Sequence, residues 1–297
     1  MAVTPCPLCR RSAELYFSSK DFNRTLSKET FDYFRCSACR LLFVSPVPAN
    51  LGQYYPESYY NLPTSQAELD SVFAPERYKL EIVSRFVKRG RLLEIGPASG
   101  GFAYLAKQAG FEVEAIEMDR RCCRFLNEVI GIRAIHSANE YEALQQVKPC
   151  NVIALWHVIE HLADPAGTLE AVANKLLPEG ILVIAAPNPD SLQFHILGKY
   201  WPHVDAPRHL MLIPAAVLIK KIESLGLKTV LFTTLDKGSL GWNIFGWDFF
   251  FGNMCSLPLI HQLLRVVGKV VGTMLSPLER REGKGSAYTL VFLKERA

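Results

Sequence analysis

The sequence predicts a doubly wound α/β sheet, with a small four-cysteine module in front of it and a helical insertion before its last strand. Three observations carry this reading. From residue 91 onward, short apolar strands alternate with helix-length periodic segments. Two C-x-x-C pairs lie within the first forty residues. About fifty residues separate the last two strand-like runs. With 49% hydrophobic and 21% charged side chains, the 297 residues have the composition of an ordinary globular chain of one or two domains. The net charge of +4 is too small to suggest wrapping of duplex nucleic acid by charge alone. All of that excess falls in residues 258–297, which hold seven basic and three acidic side chains.

CPLC (6–9) and CSAC (36–39) each place two thiolates on one tight turn, and the 26 residues between them suffice for a hairpin that brings the turns together. Cys6, Cys9, Cys36 and Cys39 can then close a tetrahedral Zn²⁺ shell with no open position, the signature of a structural site. Two disulfides or free thiols are the alternative. The opening MAVTPCPLCRRS lacks the charged start and apolar core of a signal peptide, so a reducing cytoplasm is expected, with the inner face of the membrane as a second location. About sixty residues bury little apolar surface, so the metal is expected to stabilise this module (residues 1–62 with its linker), and loss of any of the four ligands to unfold it first. Cys122, Cys123, Cys150 and Cys255 have no assigned role.

Residues 45–63 are rich in Pro, Tyr and Asn without a period of 2 or 3.6, and read as an irregular linker. Linking helices are expected over 63–90: Ser65 with Glu68 fits a capping box, and Pro75 suits the first turn of a helix ending at Gly90.

RLLEIGPASGGFAYLAKQAG (91–110) runs from an apolar strand through a glycine-rich turn into a periodic helix, and GFEVEAIEMD (110–119) supplies the next strand. Further strands are expected at 151–158, 180–187, 227–235 and 286–294, so the main domain spans 91–235 plus 286–297, with ligand at the C-terminal ends of the strands. Gly96, Ala98 and Gly101 nearly fit a dinucleotide fingerprint. Glu94, however, ends the first strand, where a carboxylate would repel a pyrophosphate but pair with an ammonium group. S-adenosylmethionine brings an ammonium, no phosphate, and a ribose diol that suits a bidentate acceptor such as Glu117 at the end of the second strand.

LLEIGPASGGF, the acidic end of EAIE, LWHVIEHLADP and PEGILVIAAPNPDS, in this order, resemble the motifs of class I S-adenosylmethionine-dependent methyltransferases over residues 75–235 and, by the last strand, 286–294. The resemblance implies a Rossmann-like seven-stranded sheet. It implies that Glu94, Gly96, Ala98 and Gly100 line the methionine and ribose side, that Glu117 binds the ribose, and that Ser137 and Ala138 edge the adenine. Ala98 stands where Gly is frequent, and Glu94 where Asp is commoner. Glu160 with His161 resembles the Glu-His pair of quinone-type O-methyltransferases, which can hold a divalent ion beside the acceptor oxygen. His157 occupies the place of that subfamily's other carboxylate. The alternative is that Glu160 and His161 only cap a helix and hydrogen-bond the loop.

The polar segment WPHVDAPRHLMLIP (201–214) follows the fifth expected strand and is similar to the stretch after the Pro-Asn motif of small-molecule and sugar methyltransferases. His209 or His161 is expected as base, with His157 and Glu160 as further catalytic candidates, and Arg208 or Asp205 as acceptor-binding residues; a hydrogen-bonded lid is the other reading. LWHV lacks the Asn- or Asp-Pro-Pro-aromatic motif that accompanies methylation of nucleic-acid bases. Within the insertion, 236–285, residues 258–275 could form a helix with a broad apolar face, Leu259, Leu263, Val266, Val267, Val270 and Met274, and basic Arg265 and Lys269. It falls short of a spanning helix and fits either a cap over the acceptor pocket, a dimer contact or a membrane-surface element. The expected activity is methyl transfer to a small-molecule, sugar or lipid-linked acceptor at oxygen; a ribbon followed by such a domain resembles enzymes acting on nucleotide-linked sugars, polysaccharide precursors or lipids. The competing readings are an RNA methyltransferase that uses the ribbon, and a non-catalytic S-adenosylmethionine-binding module.

Overall fold

The computed structural model describes residues 4–56, 59–63 and 65–296, and places them in two sheets. Strands β1 (Thr4–Pro5), β2 (Ser12–Lys20), β3 (Thr30–Cys36) and β4 (Leu42–Val44) form an antiparallel meander at the N-terminus. Helix α1 (Gln66–Phe73), a 3₁₀ turn at Ala74–Glu76 and α2 (Arg77–Val83) lead to the main sheet. Ser65 is the N-cap of α1, although its side chain makes no capping bond. Helix α2 stops at Val83, short of the expected Gly90, because the chain tightens into i to i+3 turns through Arg85 and Phe86.

The main domain then alternates strand and helix: β5 (Gly90–Ile95), α3 (Gly101–Gln108), β6 (Phe111–Glu117), α4 (Arg120–Phe125), β7 (Arg133–His136), α5 (Glu140–Gln145), β8 (Cys150–Trp156), α6 (Pro165–Lys175), β9 (Leu176–Pro187) and α7 (Leu192–Leu197). Of these, β7, α4, α5 and α7 lie beyond the elements the sequence singled out, and β9 starts earlier than expected. It continues with β10 (Met211–Leu212), α8 (Ala215–Glu223), β11 (Leu227–Thr233), the helices α9 (Lys237–Gly252) and α10 (Pro258–Glu279), and β12 (Ala287–Lys294). Helix starts are set by side chains that accept from the first free N–H groups: Asp119, Asn139, Asp164 and Ser191 cap α4 to α7, and Asp236 caps α9.

The seven-stranded sheet has the order β11-β12-β9-β8-β5-β6-β7, with β12 antiparallel to both of its neighbours. The chain moves outward from β5 to β7 and then crosses to β8, so the crevice between β5 and β8 is the topological switch point. Neighbouring residues of one strand enter opposite cores. Leu92, Val152 and Val183 pack with α3 residues on one face, and Leu93, Ile153 and Ile184 pack on the other, which is why these strands read as continuous apolar runs.

Two features join the pieces. Strand β10 pairs with β4, Met211 opposite Phe43, so the N-terminal sheet takes its fifth strand from the main domain. Its Tyr33, Leu41 and Phe43 belong to the same core as Leu93 and Ile184. The α9–α10 hairpin leaves between β11 and β12, and its two ends meet. Gly283 N–H donates to Thr234 Oγ1 at 3.0 Å, and Thr234 N–H donates to Glu282 Oε1 at 3.1 Å. The helices approach closely at Gly268, where a Cβ would come within 2.5 Å of the Trp247 carbonyl. The apolar row predicted on α10 faces outward, with Leu259 84% and Met274 74% exposed, while Gly268 and Gly272 face α9. Among the described residues no helix is long and apolar enough to cross a membrane.

Candidate active site

A cavity of about 790 Å³ opens at the C-terminal ends of β5, β6 and β8, at the switch point. Glu94, the last residue but one of β5, is buried, lines this cavity and has no hydrogen-bond partner for Oε2. Burial pushes its carboxyl up to about 8. Lys79, which lines the same end, is paired with Glu76.

Glu117 ends β6, also buried. Its Oε2 accepts from Ala98 N at 2.9 Å and its Oε1 from Asp119 N at 2.7 Å, so it braces the glycine-rich turn across the strand ends. That turn is sharply bent, with Gly96, Ala98 and Gly100 all at positive φ. Gly96, Ala98 and Ser137 line the cavity. Gly100 and Ala138 do not: a Cβ on Gly100 would meet Leu126 Cδ2 at 2.4 Å, so this glycine lets the segment after α4 pack against the turn, and Gly101, at the first residue of α3, reaches the cavity instead.

The cavity is also lined by four imidazoles, His157, His161, His203 and His209, and by the carboxylates of Glu160 and Asp205. The loop after β8 begins with His157 in a left-handed conformation (φ 56°) and passes through a 3₁₀ turn, Ile159–His161. Glu160 is buried with neither oxygen hydrogen-bonded; His157 Nδ1 lies 3.5 Å and His209 Nε2 3.9 Å from its Oε1. Burial alone would raise the Glu160 carboxyl, but the imidazoles around it, His157 first, pull it down to about 2, so it is ionised at neutral pH.

The partners of each ring fix its tautomer. Trp242 Nε1–H donates to His157 Nε2 at 3.0 Å, which leaves the His157 proton on Nδ1, facing Glu160. His161 Nδ1 sits 2.9 Å from the Arg208 carbonyl and 3.1 Å from the Tyr55 hydroxyl, which can take either role, and His209 Nδ1 2.7 Å from the His203 carbonyl. A carbonyl only accepts, so both Nδ1 atoms carry protons and both Nε2 lone pairs are left free. His157 therefore orients Glu160, while His161 and His209 are the groups able to take a proton. Burial and His209 lower the His161 imidazole to about 4, so it is neutral at pH 7.

The segment 201–210 is held from the N-terminal sheet. Arg208, expected to bind the acceptor, is fully buried and does not line the cavity. Its guanidinium bonds Asp21 (2.7 Å and 3.3 Å) and Asp205 (2.7 Å and 2.9 Å), which takes four of its five N–H donors and turns it away from the ligand space. Asp205 does line the cavity, held by Arg208 and Asn23. Tyr33 OH donates to the His209 carbonyl at 2.8 Å, Ser19 Oγ to the Lys199 carbonyl at 3.0 Å and Val44 N–H to the Leu210 carbonyl at 2.8 Å, while Leu210 N–H reaches the Glu160 carbonyl at 2.8 Å. Tyr55, Tyr59 and Tyr60 from the linker and Trp242, Phe245 and Phe249 from α9 complete the wall. None of these seemed functional in the sequence; the run of four tyrosines in QYYPESYY and the aromatic density of α9 were the signal available.

Residues 72–231 match the family model described as a methyltransferase domain. The chain belongs to this methyltransferase family. Its seven-stranded sheet and strand-end crevice are those of a class I S-adenosylmethionine-dependent enzyme. Similar solved structures share the fold. A SAM-dependent methyltransferase from Archaeoglobus fulgidus is 20% identical, with a TM-score of 0.52 over 76% of this chain and 94% of that one. Geranyl diphosphate methyltransferase, in complex with GPP and sinefungin, is 13% identical, with a TM-score of 0.50 over 74% and 78%. The [4+2]-cyclase SpnF is 13% identical, with a TM-score of 0.50 over 75% and 82%. No curated protein sequence matches the methyltransferase.

Outside the cavity, Cys6, Cys9, Cys36 and Cys39 place one sulfur each within 4.8 Å of the others, with contacts of 3.4 to 3.7 Å and no disulfide. Tetrahedral Zn²⁺ with Zn–S near 2.3 Å requires sulfurs roughly 3.8 Å apart. The two turns are built alike: Arg10 N–H and Arg40 N–H donate to the carbonyls of Cys6 and Cys36 (both 3.0 Å), and each Arg has positive φ. The donor set thus fits zinc.

Proposed function

We propose that this enzyme methylates a hydroxyl of a small-molecule acceptor held between Glu160, His161 and His209 on one side and the Glu94 end of the cavity on the other. The observation that carries it is the pair of free Nε2 lone pairs beside an ionised, unmatched carboxylate, all on the wall facing the glycine-rich turn. S-adenosylmethionine supplies an electrophilic methyl group on a sulfonium. Glu94 pairs with its ammonium, Glu117 and the turn at Gly96–Ala98 hold the ribose side, and Ser137 borders the adenine. Across the cavity, His209 or His161 takes the acceptor proton at Nε2, and Asp205 offers an acceptor for a second hydroxyl. An amine that is already neutral needs no such base, which favours oxygen over nitrogen.

Glu160, His161 and His209 also place one ligand atom each within 4.8 Å of the others. The carbonyl-backed imidazoles and the unpartnered carboxylate suit a divalent cation, which would lower the pKa of a nearby hydroxyl. The outward apolar row of α10, with exposed Lys269, Arg280 and Arg281 at hand, supports peripheral contact with a lipid surface.

Two measurements test the site. His209→Ala is expected to lower kcat by about 10²- to 10⁴-fold while S-adenosylhomocysteine affinity, measured by calorimetry, stays unchanged; activity within threefold of the parent would remove His209 from the chemistry. In the pH profile, protonation of His161 Nε2 removes its lone pair, so a rate that depends on it falls as pH drops through about 4. An acid limb near the ordinary histidine value of about 6.5 would assign the proton to another group. Sensitivity to a chelator, with zinc still bound at the ribbon and activity restored by Mg²⁺ or Mn²⁺, would separate the cation from the simple base.

A further inference from the structure

A second cavity of about 310 Å³ adjoins the first and differs from it in chemistry. It is lined by Phe22, Tyr200, Phe249, Phe250 and Met254, with the polar Asn23 and Asn253 at its sides. Asn23, Pro202 and Phe249 line both cavities, so the groove is a continuation of the acceptor side of the active site. It is a seam between three separate parts of the chain: the N-terminal sheet, the loop after α7 and the tip of the α9–α10 hairpin. Asn253 Nδ2 bridges that seam to the Phe22 carbonyl at 3.2 Å, and Phe22 packs against Tyr200 with ring centroids 5.2 Å apart. At the groove's outer end the apolar side chains are in water: Met254 is 62% exposed, and Leu257 and Leu259 follow it on the hairpin.

We infer that this groove is a subsite for the hydrocarbon tail of the acceptor. An acceptor with only polar groups would leave five largely apolar side chains in contact with water beside the carboxylates and imidazoles of the acceptor side. A tail that runs past Phe249 between Phe22 and Phe250 buries them, and leaves the hydroxyl head against His209 and Glu160. Nothing in methyl transfer itself requires such a lining. The inference rests on the proposed acceptor side of the cavity, and names the class of molecule it admits: an amphipath with a hydroxylated head and an aliphatic chain.

The test is a homologous series, 4-butylphenol, 4-octylphenol and 4-dodecylphenol, each below its aggregation concentration, with S-adenosylhomocysteine present. Binding by calorimetry is expected to tighten about three- to fourfold per methylene until the groove is filled, on the order of a hundredfold from butyl to octyl. Met254→Asp and, separately, Phe250→Ala are expected to flatten that dependence, with S-adenosylhomocysteine affinity reporting that each variant is folded. Affinity independent of chain length in the parent, or an equal dependence in both variants, overturns the subsite. If chain-length dependence stands but no phenol is methylated, the hydroxyl-methylation reading fails alone; if methylation occurs without chain-length dependence, the tail subsite fails alone.

Discussion

Replacing Glu94 by glutamine is expected to weaken S-adenosylmethionine binding by a hundredfold or more and, at pH 9, to raise the thermal midpoint of the ligand-free protein. Both effects come from one fact: the cavity holds a buried carboxyl group one of whose oxygens, Oε2, has no hydrogen-bond partner. Removing one member of a buried ion pair costs about 3–5 kcal/mol, and the ammonium of the bound cofactor would lose its counter-charge. In the ligand-free protein the sign is opposite. The Glu94 carboxyl is raised to about 8 in the fold, above its ordinary value near 4.5, so the folded state favours the protonated form. Its favourable contribution is fully present below about 4.5, declines as pH rises, and is gone above about 8, where the charge is buried alone. Glutamine carries no such cost. Cofactor binding by the parent protein should therefore release a proton below pH 8, visible in calorimetry as a dependence of the heat on the buffer. Binding by Glu94→Gln within tenfold of the parent would refute the pairing.

Removal of zinc is expected to abolish methyl transfer, although the four cysteines do not line the cavity. Metal analysis should give one equivalent, and chelation or Cys36→Ser should unfold the two C-x-x-C turns. The consequence reaches the active site because Asp21, Asn23 and Tyr33 of the N-terminal sheet hold Arg208, Asp205 and the His209 carbonyl. When those contacts loosen, His209 loses its position against Glu160, and displacements near 1 Å cost about 10²-fold in rate. Asp21→Asn isolates this path: it leaves the cysteines intact and the buried Arg208 one charge short, and should lower kcat with zinc still at one equivalent. Zinc-free protein with full activity would show that the module does not support the site.

The sheet and the cofactor end were legible because they are written locally. A strand, a glycine-rich turn and a helix follow one another within twenty residues, and Glu94 and Glu117 sit at the ends of their own strands. What was not legible depends on contacts between distant segments. Arg208 looked free to bind an acceptor, and only the fold brings Asp21 to it across 187 residues. Gly100 belonged to the right turn, but its packing partner, Leu126, lies on the next helical unit. Strand β10 is two residues long and exists only because β4 offers it an edge. The apolar row on α10 was visible by its period, yet period alone does not say which side faces the protein. Gly268 and Gly272 decide it, since only their side lets Trp247 approach.

The meeting of Thr234 with Glu282 and Gly283 at the root of the α9–α10 hairpin separates two kinds of heredity. An excursion that departs and returns at one point imposes no strain on the strands it interrupts, so its outward, solvent-facing part can drift, while Asn243, Trp247 and Glu279, which bond or pack against the scaffold, cannot. Glu94 and Glu117, proposed to face the cofactor, are fixed by β5 and β6, whereas Trp242, Phe245 and Phe249 ride on the hairpin. Residues proposed to face the donor and residues proposed to face the acceptor thus belong to different parts of the architecture, and changes on the hairpin's cavity side alter the second set without touching the first.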